Sequence, residues 1–370
     1  MTKSISLCLL IIMQIISLLL FSCGNEESKT CPWEAVTHSE LVVIDSIGSM
    51  TDPLQMLGIV VGSIHHPDGG LLVLDRISNN LRLFQPDGEI VVLAPEGSGP
   101  GCIQRASEMV IAGDQILVID KGKRSILRYS LSGEHLGIDT PTGLFEPYGI
   151  FGFANGDILS MVLGFQMSEA DEVELFIRIG QYNDSLEYST EYFYQTWLPP
   201  YNGIYSAISM MRYCSSPDGP VYFCPDLSEY KVIILGADAE AIGEIYRPDI
   251  ERVSRSEEEI EAIRQRQQER QGNEFLFQGR NDPNPYMTLI QLAGTDSLNR
   301  LWIWKLNDIS DGYIRLDIWT PEGELVEQAE IEWKNREPVA PFVDSGGVLL
   351  KTTEEASVVR IYEIVYSPAS

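Results

Sequence analysis

The chain has 370 residues, 44% of them hydrophobic and 22% charged, and its 26 basic side chains face 54 acidic ones for a net charge of −28. That length exceeds a small stapled fold and suffices for one large core or two domains. The composition excludes a disordered or collagen-like chain. So acidic a surface repels phosphate backbones, which argues against nucleic acid as a partner.

Lys3 gives a short positive start, and an apolar run follows from Leu7 to Phe21, broken only by Cys8, Gln14 and Ser17. The run has the length of a signal-peptide core and is short for a membrane span. Leu20-Phe21-Ser22-Cys23 looks like a bacterial lipobox. In chains with that motif the cysteine carries lipid and begins the mature protein. Residues 1–22 are therefore read as a signal peptide, 23–39 as a polar tether lipidated at Cys23, and 40–370 as the folded domain. An uncleaved anchor or a plain signal cut elsewhere also exports the chain. The expected place is the cell envelope, on a leaflet facing away from the cytoplasm. Gly24 and Asn25 lack the aspartate that retains many lipoproteins at an inner membrane, which points to an outer membrane where the cell has one. Glu26-Glu27 leave surface display open.

After the tether, short apolar strands alternate with turn signals almost to the end, the pattern of an all-β fold. The strand Leu41 to Ile47 comes first. Leu71-Leu72-Val73-Leu74-Asp75 then aligns with Ile116-Leu117-Val118-Ile119-Asp120 at a spacing of 45, Phe84 with Tyr129, and Gly88-Glu89 with Gly133-Glu134. A fixed period of this size marks stacked or radial supersecondary units. In the first unit, turns at His65–Gly70, Asn79-Asn80 and Pro86–Gly88 separate strands Leu71–Leu74, Leu81–Phe84 and Glu89–Leu93. Asp75 is placed to cap backbone N–H groups in its turn. Gly88 stands where the hairpin needs positive φ. The second unit runs from Glu108 to Ile138, the third from about Tyr148 to Tyr188, and the fourth from about Tyr205 to Tyr246.

Tyr188, Tyr192, Phe193, Tyr194, Trp197, Tyr201 and Tyr205 crowd the connection between the third and fourth units, with Leu198-Pro199-Pro200 forcing part of it into a loop. Such residues supply large amphipathic contact area, or else blade packing. Cys214 and Cys224 flank the turn Ser215–Pro220 and are candidates for a hairpin disulfide; Cys31 and Cys102 are the other thiols of the exported chain. Ser256-Glu257-Glu258-Glu259 is a capping box that opens a helix, with Gly272 able to end it. This surface insertion covers about 253–272 and carries Arg264, Arg266 and Arg270. The fifth unit runs from Met287 to Trp333 and the sixth from Val339 to Tyr366. The early strand Leu41 to Ile47 is free to complete the sixth and close a ring, which protects the edges. The expected architecture is an all-β, six-bladed β-propeller of four-stranded blades with one inserted surface helix.

These residues resemble NHL-repeat propellers, and more narrowly the six-bladed, often lipid-anchored propellers of bacterial envelopes. Gly97-Ser98-Gly99-Pro100-Gly101 is similar to the glycine-rich connector of that family, although Cys102-Ile103 stands where a phenylalanine usually follows. The inserted helix and Leu301-Trp302-Ile303-Trp304 also fit it. The resemblance implies the fold from about Leu41 onward and says little of function, because propellers serve both binding and catalysis.

No Gly-x-Ser-x-Gly elbow, His-Glu-x-x-His or Walker loop is present, so no catalytic residue is assigned. The histidines are His38, His65, His66 and His135. Neighbouring strand residues face opposite ways, so at most one of His65 and His66 points into a central channel. Asn307–Gly312 looks like a calcium loop, but Ile309 and Ile318 fall on the third and twelfth ligand positions. No cofactor or metal ligand is assigned; calcium held by carboxylates from several blades stays open. Loops leading into the innermost strands share one face, which brings Arg105, Glu146, Tyr148, Trp197, Tyr201, Tyr205 and Tyr286 forward as a candidate binding surface. The expected role is a lipid-anchored binding or scaffold module for an envelope protein, peptide or glycan. The alternatives are a metal-dependent hydrolase, lactonase or lyase with its site in the channel, and a structural subunit whose acidic rim meets a basic partner.

Overall fold

Leu71–Asp75 is buried at every position, as is Ile116–Asp120 within its strand. An apolar run without alternation needs cover on both faces of its sheet, and the architecture supplies it by setting sheets face to face. The computed structural model describes residues 36–49, 51–140, 146–168, 171–183, 185–197, 211–270, 283–306, 312–332, 339–352 and 359–366, within a unit that runs from Val36 to Ser370. Cys23, Cys31 and the rest of the chain before Val36 lie outside the described residues, as do Tyr201, Tyr205, Gly272 and Asn307–Asp311.

Strand β1 (Thr37–Ile47) opens the chain and pairs with its end. Four separate four-stranded sheets follow in sequence order. The first holds β2 (Val60–His65), β3 (Leu71–Asp75), β4 (Asn80–Phe84) and β5 (Ile90–Ala94). The second holds β6 (Ala106–Ala112), β7 (Gln115–Asp120), β8 (Ser125–Ser130) and β9 (His135–Asp139). The third holds β10 (Glu146–Gly152), β11 (Ile158–Met167), β12 (Val173–Tyr182) and β13 (Tyr188–Trp197). The fourth holds β14 (Arg212–Ser215), β15 (Val221–Cys224), β16 (Lys231–Leu235) and β17 (Ala241–Tyr246). Helix α1 (Glu257–Arg270) comes next, then β18 (Ile290–Thr295), β19 (Leu301–Lys305), β20 (Tyr313–Trp319), β21 (Leu325–Glu332), β22 (Val339–Asp344), β23 (Gly347–Thr352) and β24 (Val359–Tyr366).

The first strands β2, β6, β10, β14 and β18 are neighbours in that order, β22 lies beside β18, and β23 returns to β2. The sheets therefore stand as blades in a ring. Apolar clusters fill each gap between neighbours. Leu72, Leu74, Val118 and Leu127 join the first two sheets, and Cys214, Tyr222, Val232, Leu301 and Trp319 join the fourth to β18–β21. Each fully buried Leu or Ile contributes on the order of 1.5–3 kcal/mol.

The last eight strands differ from the expected pair of separate blades. They form one closed sheet in the order β1-β21-β20-β19-β18-β22-β23-β24. Two antiparallel runs are welded in parallel at both edges: Gly294 bridges Val343, and Thr37–Glu40 pairs with Glu327–Glu330. The absence of a side chain on Gly294 permits the first weld, since a Cβ there would enter the Val343 carbonyl. At the second, Ser39 hydrogen-bonds the buried Glu327 carboxylate. The completion of the terminal sheet by the early strand is as expected, over Ser39–Ile47 against Val359–Tyr366.

Local features follow the sequence closely. Asp75 accepts from the backbone N–H of Gly58 at 2.9 Å, Ile59 at 3.2 Å and Ile77 at 2.9 Å, and from Arg82 at 3.1 Å. Burial raises its pKa, and hydrogen bonds from Gly58, Ser78 and Ile77 outweigh burial and hold it below the usual carboxylate value. Asp120 repeats the arrangement with Gln104, Arg105, Gly122 and Lys123. Gly88 has φ 89°. The capping box closes in both directions: Ser256 N–H donates to Glu259 at 2.8 Å, and Glu259 N–H to Ser256 Oγ at 3.2 Å.

The third sheet departs most. Its strand β13 takes up Tyr188 to Trp197, the described part of the aromatic connection. Aromatic residues suit a half-buried pleated surface, and here they have it. The Arg178 guanidinium lies 5.3 Å from the Phe176 ring, 4.8 Å from Tyr188 and 5.2 Å from Tyr194, and pairs with Glu191 at 3.1 Å. Phe193 meets Phe223 of the next sheet at 5.1 Å, and Trp197 packs on Leu175 and Ile177. This stretch is blade packing across its described length.

Candidate functional site

The inner strands converge at their downstream ends on a cavity of about 220 Å³. Ile64 and His65 of β2, Ile111 of β6, Phe151 of β10 and Ser215 of β14 line it. Thr295 of β18, with Phe342 and Asp344 of β22, completes the wall. Hydrogen bonds between neighbouring sheets fix this rim. Gly113 N–H donates to the Phe153 carbonyl at 2.9 Å, and Ala154 N–H to that of Pro217 at 2.9 Å. Thr295 Oγ1 donates to the Ser215 carbonyl at 3.2 Å. The cavity is thus built into the backbone and needs no assembly by a ligand.

His65 and Asp344 are its polar pair. Asp344 Oδ2 accepts from the His65 backbone N–H at 2.8 Å, and Oδ1 lies 2.6 Å from His65 Nδ1. Gly346 N–H also donates to Oδ1 at 2.8 Å. A carboxylate only accepts, so Nδ1 carries a proton, and in the neutral form of the ring Nε2 is the acceptor. Nε2 has no partner among the described residues. Gly346 abuts the ring so closely that a Cβ would overlap it. Position, tautomer and tilt of the imidazole are therefore set together. The neighbouring His66 faces the other way: it is 7% exposed and bonds the Leu131 carbonyl through Nε2 at 3.1 Å. The expectation that only one of the two reaches the channel holds.

Of the candidate residues chosen from the sequence, Arg105, Glu146, Tyr148 and Tyr286 sit at the opposite, upstream ends of the inner strands. Arg105 is exposed just before β6. Tyr286 is half-buried before β18, with the Arg252 guanidinium 5.0 Å from its ring. Glu146 and Tyr148 begin β10, and their side chains lie outside the described residues. Trp197 is taken up in sheet packing. Phe151, Phe342 and Asp344 were missed. The available signal was positional: each stands at the close of a unit's first strand, as His65 does.

Cys214 and Cys224 form no disulfide; both are buried free thiols, and Cys102 is a third. Register explains it, since Cys214 pairs with Tyr222 and Cys224 with Arg212. The two thiols share a face diagonally. That sets such Cα atoms roughly 7–8 Å apart, beyond disulfide reach. Burial pushes the Cys224 thiol up to about 12, and Cys214 is also raised by burial. Thiolate is the reactive form. Folded protein at pH 8 is expected to lose Cys102 to iodoacetamide while Cys214 and Cys224 stay unmodified until denaturant is added, as peptide mass spectrometry would read; rapid modification of either in the native state contradicts this.

Among the described residues, no group of three or more His, Cys, Asp or Glu side chains is placed to hold a metal ion. No helix among them is long and apolar enough to cross a membrane.

Blade-like sheets in a ring around a channel define a β-propeller protein. Among solved structures the chain is similar to a virginiamycin B lyase from Staphylococcus aureus, at 14% identity over 89% of this chain and 90% of that one, TM-score 0.44. It is similar to a member of the DUF4221 family from Bacteroides vulgatus, at 12% identity over 89% and 99%, TM-score 0.47. It is similar as well to a calcium-binding protein, regucalcin, from Agrobacterium tumefaciens, at 10% identity over 90% and 97%, TM-score 0.44. No known family matches the sequence, and no curated protein does.

Proposed function

We propose that the chain is a lipid-anchored, six-bladed propeller of the bacterial envelope that binds an envelope protein, peptide or glycan at the downstream mouth of its channel. The blade count treats β18–β21 as the fifth blade and β22–β24 with β1 as the sixth. Separate apolar clusters on either side of the second run support it, one with Trp302 and Ile318, the other with Val60 and Leu71. The lipobox ending at Cys23 supports the anchor. The observation that carries the binding role is the preformed cavity, with apolar walls and one oriented imidazole. Concave, mostly apolar sites with few placed polar groups are the usual form of a ligand site.

The test is capture from crosslinked envelopes with three baits checked for folding by thermal melting. Ile64→Trp, which fills the cavity, is expected to lose a partner that wild type and Tyr286→Ala both retain. Loss with Tyr286→Ala and retention with Ile64→Trp would put the partner on the upstream face and sink the downstream site.

A further inference from the structure

The chemistry of the cavity narrows what it takes, on the reading that the channel mouth is a binding site. Its volume of about 220 Å³ exceeds the roughly 150 Å³ that holds a benzene ring and falls below the roughly 300 Å³ at which drug-sized ligands begin. It has room for one substituted ring. The apolar wall includes Ile64, Val110, Phe151, Phe153 and Phe342, so three phenyl groups are available for edge or offset contacts with an aromatic ligand. No lysine or arginine lines it and Asp344 does, within a protein of net charge −28. An anionic ligand would be desolvated there without a counter-charge. A sugar carries a hydroxyl on most carbons, and these walls would leave most of them unpaired. The lining includes the His65 imidazole, held in a single orientation by Asp344 and Gly346 with its Nε2 left over for a ligand, and Ser215, whose buried Oγ also has no partner among the described residues.

We propose that the cavity binds a neutral phenol ring, its face or edge against the phenylalanines and its hydroxyl donating to His65 Nε2. Two sources carry that group, a tyrosine side chain of a peptide partner and a free small phenol. A phenylalanine or toluene ring fits the walls equally and leaves Nε2 unpaired. That omission disfavours it about tenfold, the factor expected for one hydrogen bond to a desolvated partner.

Calorimetric titration of the purified exported domain with p-cresol, toluene, 4-hydroxybenzoate, maltose and N-acetyl-tyrosinamide tests the proposal. Saturable p-cresol binding is expected, about tenfold tighter than toluene and tighter than 4-hydroxybenzoate, with none for maltose. His65→Phe is expected to abolish the preference over toluene while toluene still binds. N-acetyl-tyrosinamide matching p-cresol assigns the ring to a peptide; binding at least tenfold weaker assigns it to a free phenol. Equal affinity for p-cresol and toluene in wild type overturns the proposal, as does tighter binding of maltose or 4-hydroxybenzoate. The wild-type comparison stands even if the variant misfolds. Should p-cresol fail while Ile64→Trp still loses its captured partner, the phenol assignment falls and the binding site stands. Failure of both removes the site itself.

Discussion

Asp317→Ala is expected to cost about 3–5 kcal/mol of stability, the range for stripping one partner from a buried charge network. Asp317, on β20, is 0% exposed. Its carboxylate accepts from Tyr230 Oη at 2.7 Å and from Gln328 Nε2 at 2.7 Å. Arg247 lies 3.3 Å away and Lys305 3.2 Å away. Burial first, and then the charge of Asp317, push the Tyr230 phenol well above its ordinary range, so it stays a donor. Trp319 Nε1 donates to Tyr230 in turn at 3.0 Å. Alanine would take the acceptor from the Lys305 ammonium, the Tyr230 hydroxyl and the Gln328 amide and leave Arg247 with Asp249, between the fourth sheet and the closed sheet. Asn in place of Asp317 keeps the acceptor and loses the charge, so its cost should fall between alanine and wild type. Urea unfolding followed by tryptophan fluorescence reads the difference. A loss under about 1 kcal/mol for alanine would mean that the network's desolvation already cancels its attraction.

Local rules were legible where one short segment carries the whole cause. The matched runs at Leu71 and Ile116 encode central strands covered on both faces. Asp75 and Asp120 encode their own turn caps, and Ser256 with Glu259 encodes a helix start. The cavity was illegible for the opposite reason. His65 and Asp344 meet across 279 positions of sequence, and the 45-residue repeat specifies a sheet without saying which strand ends will share space. The aromatic stretch left two readings open because strand and binding loop draw on the same residues. Arg178 decides it, and sequence spacing does not show that Arg178 stands opposite Tyr194. The disulfide expectation failed on register, since two positions of offset across a hairpin cannot be counted without knowing which turn residues pair.

Gly294→Ala is expected to do the second-largest damage, about 2–5 kcal/mol from overpacking together with left-handed strain. Gly294 has φ 132° and sits at a register shift in β18. A Cβ there would meet the Val343 carbonyl, which is backbone and has no rotamer to yield. The same pair is the one bridge between β18 and β22 among the described residues, and both residues line the cavity. The substitution must therefore part the two runs of the closed sheet and reshape the mouth at once. Gly88→Ala separates the two causes. Gly88 has φ 89°, and a Cβ added there would meet nothing within 4 Å, so it should show strain alone, about 1–2 kcal/mol. The excess of Gly294→Ala over Gly88→Ala in urea unfolding measures the weld. A large excess with weakened p-cresol binding ties ring closure to the cavity. Equal costs would mean that β18 and β22 part freely, and that the two runs behave as independent blades.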